Sequence, residues 1–173
     1  MVVFEDFSIN VKLFYLINHT RHDTLDLFFS KFYLLGKGWV LLPIFLYVLL
    51  FIRRKLRVFL YTMALSTVLV NLLKHIFKQP RPASLLEDVY LMEPLYHKSF
   101  PSGDTAMAFA LFAFFLHINR WVGGVFLIYA LLIGYGRVYV GAHFPLDVLV
   151  GAALGIFSFL LALHMRREHA ISD

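Results

Sequence analysis

The sequence predicts an all-α integral membrane protein, a bundle of five to six transmembrane helices, and three observations carry that prediction. Of its 173 residues, 60% are hydrophobic and 19 are Phe, with a mean hydropathy of +0.74. A soluble domain averages about 45–50% apolar. The excess is gathered into long runs, and spanning the hydrocarbon takes about 20 residues of helix. Clusters of basic residues fall between those runs. Cysteine is absent, so neither a disulfide framework nor a thiolate metal site is available.

The first ten residues, MVVFEDFSIN, are acidic where a cleavable signal would carry a basic stretch and an apolar core, so no signal peptide is expected. Val11–Ile17 reads as an interfacial helix, and Leu25–Leu35 as either a sixth span or a helix lying in the interface. Five apolar runs follow: Trp39–Ile52, Val58–Phe77, Thr105–His117, Val122–Tyr135 and Leu146–Met165. Residues 1–37 are thus expected to be interfacial or first helices and 38–173 a catalytic helical core, together one membrane-embedded domain. Trp39, Trp121, Tyr33, Tyr135 and Tyr139 fall near span ends, where aromatic belts are found. GAALG, Gly151–Gly155, makes a small-xxx-small packing face.

Basic loops orient the bundle. RRKLR (Arg53–Arg57) joins the first two clear runs, Arg120 lies between the third and fourth, and MRRE (Met165–Glu168) follows the last. The positive-inside rule puts all three on the cytoplasmic side. Alternating the spans then puts Lys74–Phe100, the entrance to the Thr105 run, and Gly136–Asp147 on the outer face. Nearly all the remaining polar chemistry converges there.

Three polar segments make up that face. In KHIFKQPRP, Lys74–Pro82, Pro80 and Pro82 end a helix whose last turn holds Lys74. Lys74 and Arg81 converge if the chain turns back at the prolines; otherwise this is a basic helix end at lipid headgroups. In SFPSGDTAMAF, Ser99–Phe109, Pro101 and Gly103 mark a turn and Ser102 is a candidate N-cap. Such a helix start either is simply capped or offers its N–H groups to an anion. In GYGRVYVGAHFPLDV, Gly134–Val148, Pro145 opens the last helix. Asp147, four residues after His143, can accept from one ring nitrogen and leave the other as a nucleophile or base; the plainer alternative is a helix-start charge beside an interfacial histidine. Two arginines, a lysine, a hydroxyl, a helix N-terminus and a His–Asp pair describe a phosphate pocket with a nucleophile. Moving a phosphoryl group is mostly positioning plus charge stabilisation, and guanidinium forks match its oxygens.

Taken jointly, Lys74-x6-Arg81-Pro82, Pro101-Ser102-Gly103-Asp104 and Arg137-x5-His143-x3-Asp147 resemble the three-part signature of the type 2 phosphatidic acid phosphatase superfamily. The resemblance implies a helical bundle with its site at the membrane surface, which the basic loops make the periplasmic face, and no metal; no other cofactor is expected. It implies a phosphohistidine on His143, oriented by Asp147, with Lys74, Arg81, Ser102, the Gly103 amide and Arg137 holding the phosphoryl oxygens. Two positions depart. Gly136 stands where the family usually has Ser. Asp104 stands where the family usually has the histidine thought to protonate the leaving group.

An unperturbed aspartic acid titrates near about 3.9, so a general-acid aspartate at neutral pH is the harder case. The simpler expectation is a good leaving group, an anomeric sugar oxygen or a phosphate released from a diphosphate, with Asp104 orienting Lys74, Arg81 or a water. His97 or His75 is a candidate substitute acid, and a degenerate site is the remaining alternative. The expected function is a lipid phosphatase of a bacterial inner membrane, with the bilayer and a membrane phospholipid or lipid A as partners and no nucleic acid. The small size and the KQPRP to PSGDT pattern look like the lipid A 1-phosphatase branch. Undecaprenyl diphosphate or phosphatidylglycerol phosphate phosphatase, a lipid phosphotransferase and a non-enzymatic scaffold are the alternatives. The loop Ala83–Lys98, with Glu87, Asp88 and Glu93, either is solvated or covers the pocket. Oligomeric state has no signal in the sequence.

Overall fold

The computed structural model describes residues 3–93, 95 and 98–172, with backbone alone for 167–172. Among the described residues every regular element is helical. In chain order these are α1 (Ser8–Asn18), α2 (Asp23–Phe32), α3 (Leu41–Phe51), α4 (Leu56–Phe77), the single turn α5 (Pro82–Leu85), α6 (Gly103–Ile118), α7 (Arg120–Tyr139) and α8 (Pro145–Ser172). Short 3-10 turns at Tyr33–Gly36, Gly38–Val40 and Arg53–Lys55 link the early helices.

Local chemistry sets the ends. α4 stops at Lys78, whose left-handed backbone (φ 48°) returns its N–H to the Lys74 carbonyl, two residues before Pro80. Ser102 caps α6 through Thr105 N, and Asn119 Oδ1 caps α7 by accepting from Trp121 N at 2.8 Å and Val122 N at 3.2 Å. Pro82 and Pro145 sit at first helical positions, where a missing N–H costs nothing.

α6 is the central post, packed on α7, α8 and α4. Its Leu111, Phe114 and Phe115 join Phe59 of α4, Val48 of α3 and Phe159 and Ala162 of α8 in the main core. α8 reaches α6 because its face is small: a Cβ at Gly155 would lie 2.2 Å from the Ala106 carbonyl oxygen, and one at Gly151 2.5 Å from that of Ser102. The direction of each helix then places the site. α4 and α7 end, and α6 and α8 begin, at the same end of the bundle. The basic turns lie at the other end, where Lys55 Nζ stands 3.2 Å from His117 Nε2 near the close of α6.

The sequence counts five to six spans; among the described residues, length and composition pick out three: Arg53–Leu85, Arg120–Tyr139 and Pro145–Arg166. A fourth appears if Asp23–Gly36 and Gly38–Phe51, bent by 61° at their junction, are one broken span. Leu25–Leu35 and Trp39–Ile52 are therefore two limbs of one bent pair, and the Thr105–His117 run is the shorter apolar α6. Val11–Ile17 forms most of α1, which packs on α7 and α8. Its buried Asn18 donates from Nδ2 to the carbonyls of Tyr90 and Tyr139, both at 2.9 Å.

Candidate active site

The turn between α7 and α8 delivers the imidazole. Gly141 adopts φ 78°, and a Cβ there would lie 2.6 Å from the Tyr90 carbonyl oxygen, so the turn needs glycine on both counts. Ala142 N and His143 N then both donate to the Arg137 carbonyl, at 3.1 and 3.2 Å. His143 and Asp147, one turn apart, are fully buried, with Nδ1 and Oδ2 3.2 Å apart. The same Oδ2 accepts from Phe144 N at 2.8 Å and Ser99 Oγ at 2.5 Å.

On the other side of the ring, Arg81 NH1 lies 3.2 Å from His143 Nε2 and donates to the Ala142 carbonyl at 2.7 Å. A carboxylate at Nδ1 and a guanidinium at Nε2 assign the tautomer: Nδ1 carries the proton and Nε2 the lone pair. Burial pushes the imidazole down to about 3, against the pull of Asp147 and with the help of Arg81 and Arg137. His143 is thus neutral at physiological pH.

The three motif segments meet here. Ser102 N donates to the Asp147 carbonyl at 3.0 Å, tying the start of α6 to the start of α8. Ser102 Oγ is a cap, 3.4 Å from Thr105 N and 2.9 Å from Thr105 Oγ1, and Gly103 follows at the α6 N-terminus, where N–H groups favour anions. Lys74 Nζ donates to the carbonyls of Lys98 and Ser99 at 2.7 and 3.1 Å. Ser99 in turn bonds through its N–H to the Gln79 carbonyl at 2.8 Å.

Arg137, almost fully buried, donates from NH1 to Glu93 Oε2 at 2.6 Å, and its Nε pairs with Asp104 Oδ2 at 3.3 Å without hydrogen-bond alignment. Lys37 Nζ holds Glu93 Oε1 at 2.6 Å and stands 3.5 Å from Asp104 Oδ2. The carboxylate of the Ala83–Lys98 loop therefore reaches into the site. Burial raises Glu93, but Arg137 and Lys37 outweigh it and hold the carboxyl below the usual range. Beside this cluster a cavity of about 270 Å³ is lined by Lys74, Gly103, Asp104, Ser66, Thr67 and Met107, among others. It joins the polar cluster to apolar helix faces.

Of the two alternative acids, His75 is exposed, with Nδ1 2.8 Å from the Asn71 carbonyl one turn back, and does not line the cavity. His97 lies outside the described residues. Lys37 and Ser99 carry no mark of a site residue in the sequence, and Glu93 is marked only as one of three acids in a loop that either is solvated or covers the pocket. Gly136 has a local reason: a Cβ there would lie 2.9 Å from Phe29 Cδ1 of α2.

The family model of the PAP2 superfamily matches residues 55–170. This chain belongs to the PAP2 superfamily. The PAP2 protein is 33% identical to an undecaprenyl-diphosphatase of Sulfolobus acidocaldarius, over 93% of this chain and 80% of the relative. It is 34% identical to a lipid A 1-phosphatase of Rhizobium johnstonii, over 62% of this chain and 46% of the relative. The crystal structure of Aquifex aeolicus LpxE superposes with a TM-score of 0.91 and 48% identity, covering 94% of this chain and 99% of that one. Like its PAP2 relatives, the protein is a membrane lipid phosphatase.

Proposed function

We propose that the protein removes the 1-phosphate of lipid A at the periplasmic face of a bacterial inner membrane, through a phosphohistidine on His143 and without a metal ion. The observation that carries this reading is the wedging of His143 between Asp147 at Nδ1 and Arg81 at Nε2, both 3.2 Å away. Nε2 attacks phosphorus while the bond to the leaving oxygen breaks and that oxygen departs with the electron pair. Water then attacks the phosphohistidine and the P–N pair returns to Nε2; of the two water protons, one stays on the released phosphate and one neutralises the departed oxygen. Throughout, Nδ1–H stays on the ring and donates to Asp147. Arg81, Arg137, Lys74 and the Gly103 amide supply the charge that holds the phosphoryl oxygens; Ser102, engaged as a cap, sets that amide in place. Arg81 turns its NH1 from Nε2 to a phosphoryl oxygen as substrate enters.

Asp104 supports the choice of leaving group. Its Oδ2 stands 3.5 Å from Lys37 Nζ and 3.3 Å from Arg137 Nε, a charge neighbour to two cations and not a proton donor in this reading, so the leaving oxygen must depart unaided. An anomeric sugar oxygen does. So does the inner phosphate of undecaprenyl diphosphate, the second reading, favoured by the 33% identity to the Sulfolobus enzyme across 93% of this chain. The high likeness to Aquifex LpxE supports lipid A first. The outer-face placement rests on the basic turns at the end opposite the site.

Purified protein in detergent, offered lipid A, undecaprenyl diphosphate, phosphatidic acid and phosphatidylglycerol phosphate, tests the reading. The expected result is fastest phosphate release from lipid A, none after His143→Ala, and no loss with a chelator. A doubly phosphorylated lipid in place of free phosphate would make the protein a transferase. Unchanged release in His143→Ala would overturn the phosphohistidine.

A further inference from the structure

Next to the His143–Asp147 pair, the segment before α1 supplies a side chain that the reaction above does not use. Glu5 is completely buried, and neither of its carboxyl oxygens has a hydrogen-bond donor. Its backbone is pinned. The Glu5 carbonyl accepts from Asn10 Nδ2 at 2.7 Å, and Asn10 Oδ1 accepts from Leu146 N at 3.0 Å, at the start of α8. Phe4 N donates to Gln79 Oε1 at 3.1 Å, and the Phe4 ring packs edge-on against Phe77 and Phe100. These ties hold the Glu5 carboxyl within hydrogen-bond reach of the Asp147 side chain.

Hydrogen bonding at Asp147 is lopsided. Oδ2 faces three donors, Phe144 N, Ser99 Oγ and His143 Nδ1. Oδ1 is equally buried and receives none. Two ionised carboxylates buried together would repel and leave three oxygens without a protein donor, which is costly. One proton between them satisfies Asp147 Oδ1 and the Glu5 oxygen that carries it, and removes a buried charge. Donors decide which partner keeps the proton: three hydrogen bonds favour the anion on Asp147, and none favours it on Glu5.

We propose that Glu5 is a neutral carboxylic acid that donates its proton to Asp147 Oδ1, and is thereby a positioning residue for the Asp147–His143 pair. With both Asp147 oxygens held, the carboxylate cannot turn away from Nδ1, and Nε2 stays aimed at the phosphoryl site. The charged groups facing Glu5 are Asp147 of α8, Lys74 of α4 and Arg81 just before α5. The two cations favour ionised Glu5; burial first, then the hydrogen bond and charge of Asp147, overcome them and push the carboxyl up to about 11. Only the kinetic consequence rests on His143 being the nucleophile.

Infrared spectra of the full-length protein in detergent at neutral pH test the proposal directly. A carboxylic-acid C=O band is expected in wild type, shifted when glutamate carries carbon-13 and lost in Glu5→Gln. Gln keeps a neutral donor, so Glu5→Gln should hold kcat within about threefold, while Glu5→Ala should lose roughly tenfold or more in kcat with KM little changed, the scale of one hydrogen bond to a charged group. Absence of the labelled band overturns the proposal, as does a Glu5→Gln enzyme as slow as Glu5→Ala. Both failures are distinct from that of the phosphohistidine, which His143→Ala reports separately.

Discussion

Replacing Glu93 by Gln should tighten substrate binding rather than weaken it. The Glu93 carboxylate bridges Arg137 NH1 and Lys37 Nζ, each at 2.6 Å, and so occupies the guanidinium that the proposed reaction assigns to a phosphoryl oxygen. Substrate must exchange one anion for another. A hydrogen bond to a charged group is worth about 1.5–3 kcal/mol. The Arg137 contact carries most of it, because Lys37 is 30% exposed and its pair is weakened by water. Gln keeps the shape and loses the charge. Removing about 1.5 kcal/mol of competition lowers KM roughly tenfold, with kcat within about twofold because His143 and Arg81 are untouched. Glu93 has a depressed pKa, so the contact is intact above the ordinary carboxylate range and is lost only as pH falls through that lowered value. The assay is phosphate release in mixed micelles at neutral pH across substrate concentration. A raised KM in Glu93→Gln would refute the reasoning and make Glu93 part of the binding surface.

Three further outcomes follow from the geometry. Folded His143 is neutral down to about 3 while an unfolded histidine titrates near about 6.5, so stability should be fully present above about pH 6.5 and fall as pH drops toward 3. Thermal unfolding in detergent across that window checks this, and His143→Gln should flatten the slope. Asp104→Asn should keep most turnover on an anomeric phosphate or a diphosphate, while Asp104→His should speed phosphatidylglycerol phosphate by roughly tenfold or more, since general acids contribute about 10²–10⁴; loss of all activity in Asp104→Asn on every substrate would contradict the leaving-group account. Gly155→Ala drives a methyl to 2.2 Å from the Ala106 carbonyl oxygen and should cost about 1–3 kcal/mol by overpacking, read as a lower melting temperature with activity falling in parallel.

Hydropathy alone finds α3, α4, α6, α7 and α8, because each is one apolar run. The region before α3 stays open for a physical reason. Asp23, Asp26 and Lys31 interrupt α2, so Leu25–Leu35 reads as either a span or an interfacial helix, and the 61° bend at Gly36–Gly38 looks like a flank. That bend brings Lys37 beside Asp104 and Glu93. Gly36 permits it: a Cβ there would lie 3.2 Å from Asp104 Cβ. A break in the apolar pattern thus delivers a cation to the site, which no averaging window reports.

The same distinction separates the motif residues from their partners. Lys74, Arg81, Ser102, Arg137, His143 and Asp147 are legible because helix ends impose their spacing: four residues across a helix start, or seven across a proline turn. Glu5, Lys37 and Glu93 meet that group across 142, 67 and 44 positions, counting Glu5 to Asp147, Lys37 to Asp104 and Glu93 to Arg137. Their placement depends on where α1, the bent α2–α3 pair and the loop dock on the finished bundle, so nothing local marks them. The contacts divide the labour. Short-range spacing builds the proposed nucleophile with its cations, and long-range docking sets which groups surround Arg137 and Asp147. Variants at Glu93 should therefore act on KM and variants at Glu5 on kcat, and a shared phenotype would show that the two contacts are not separable.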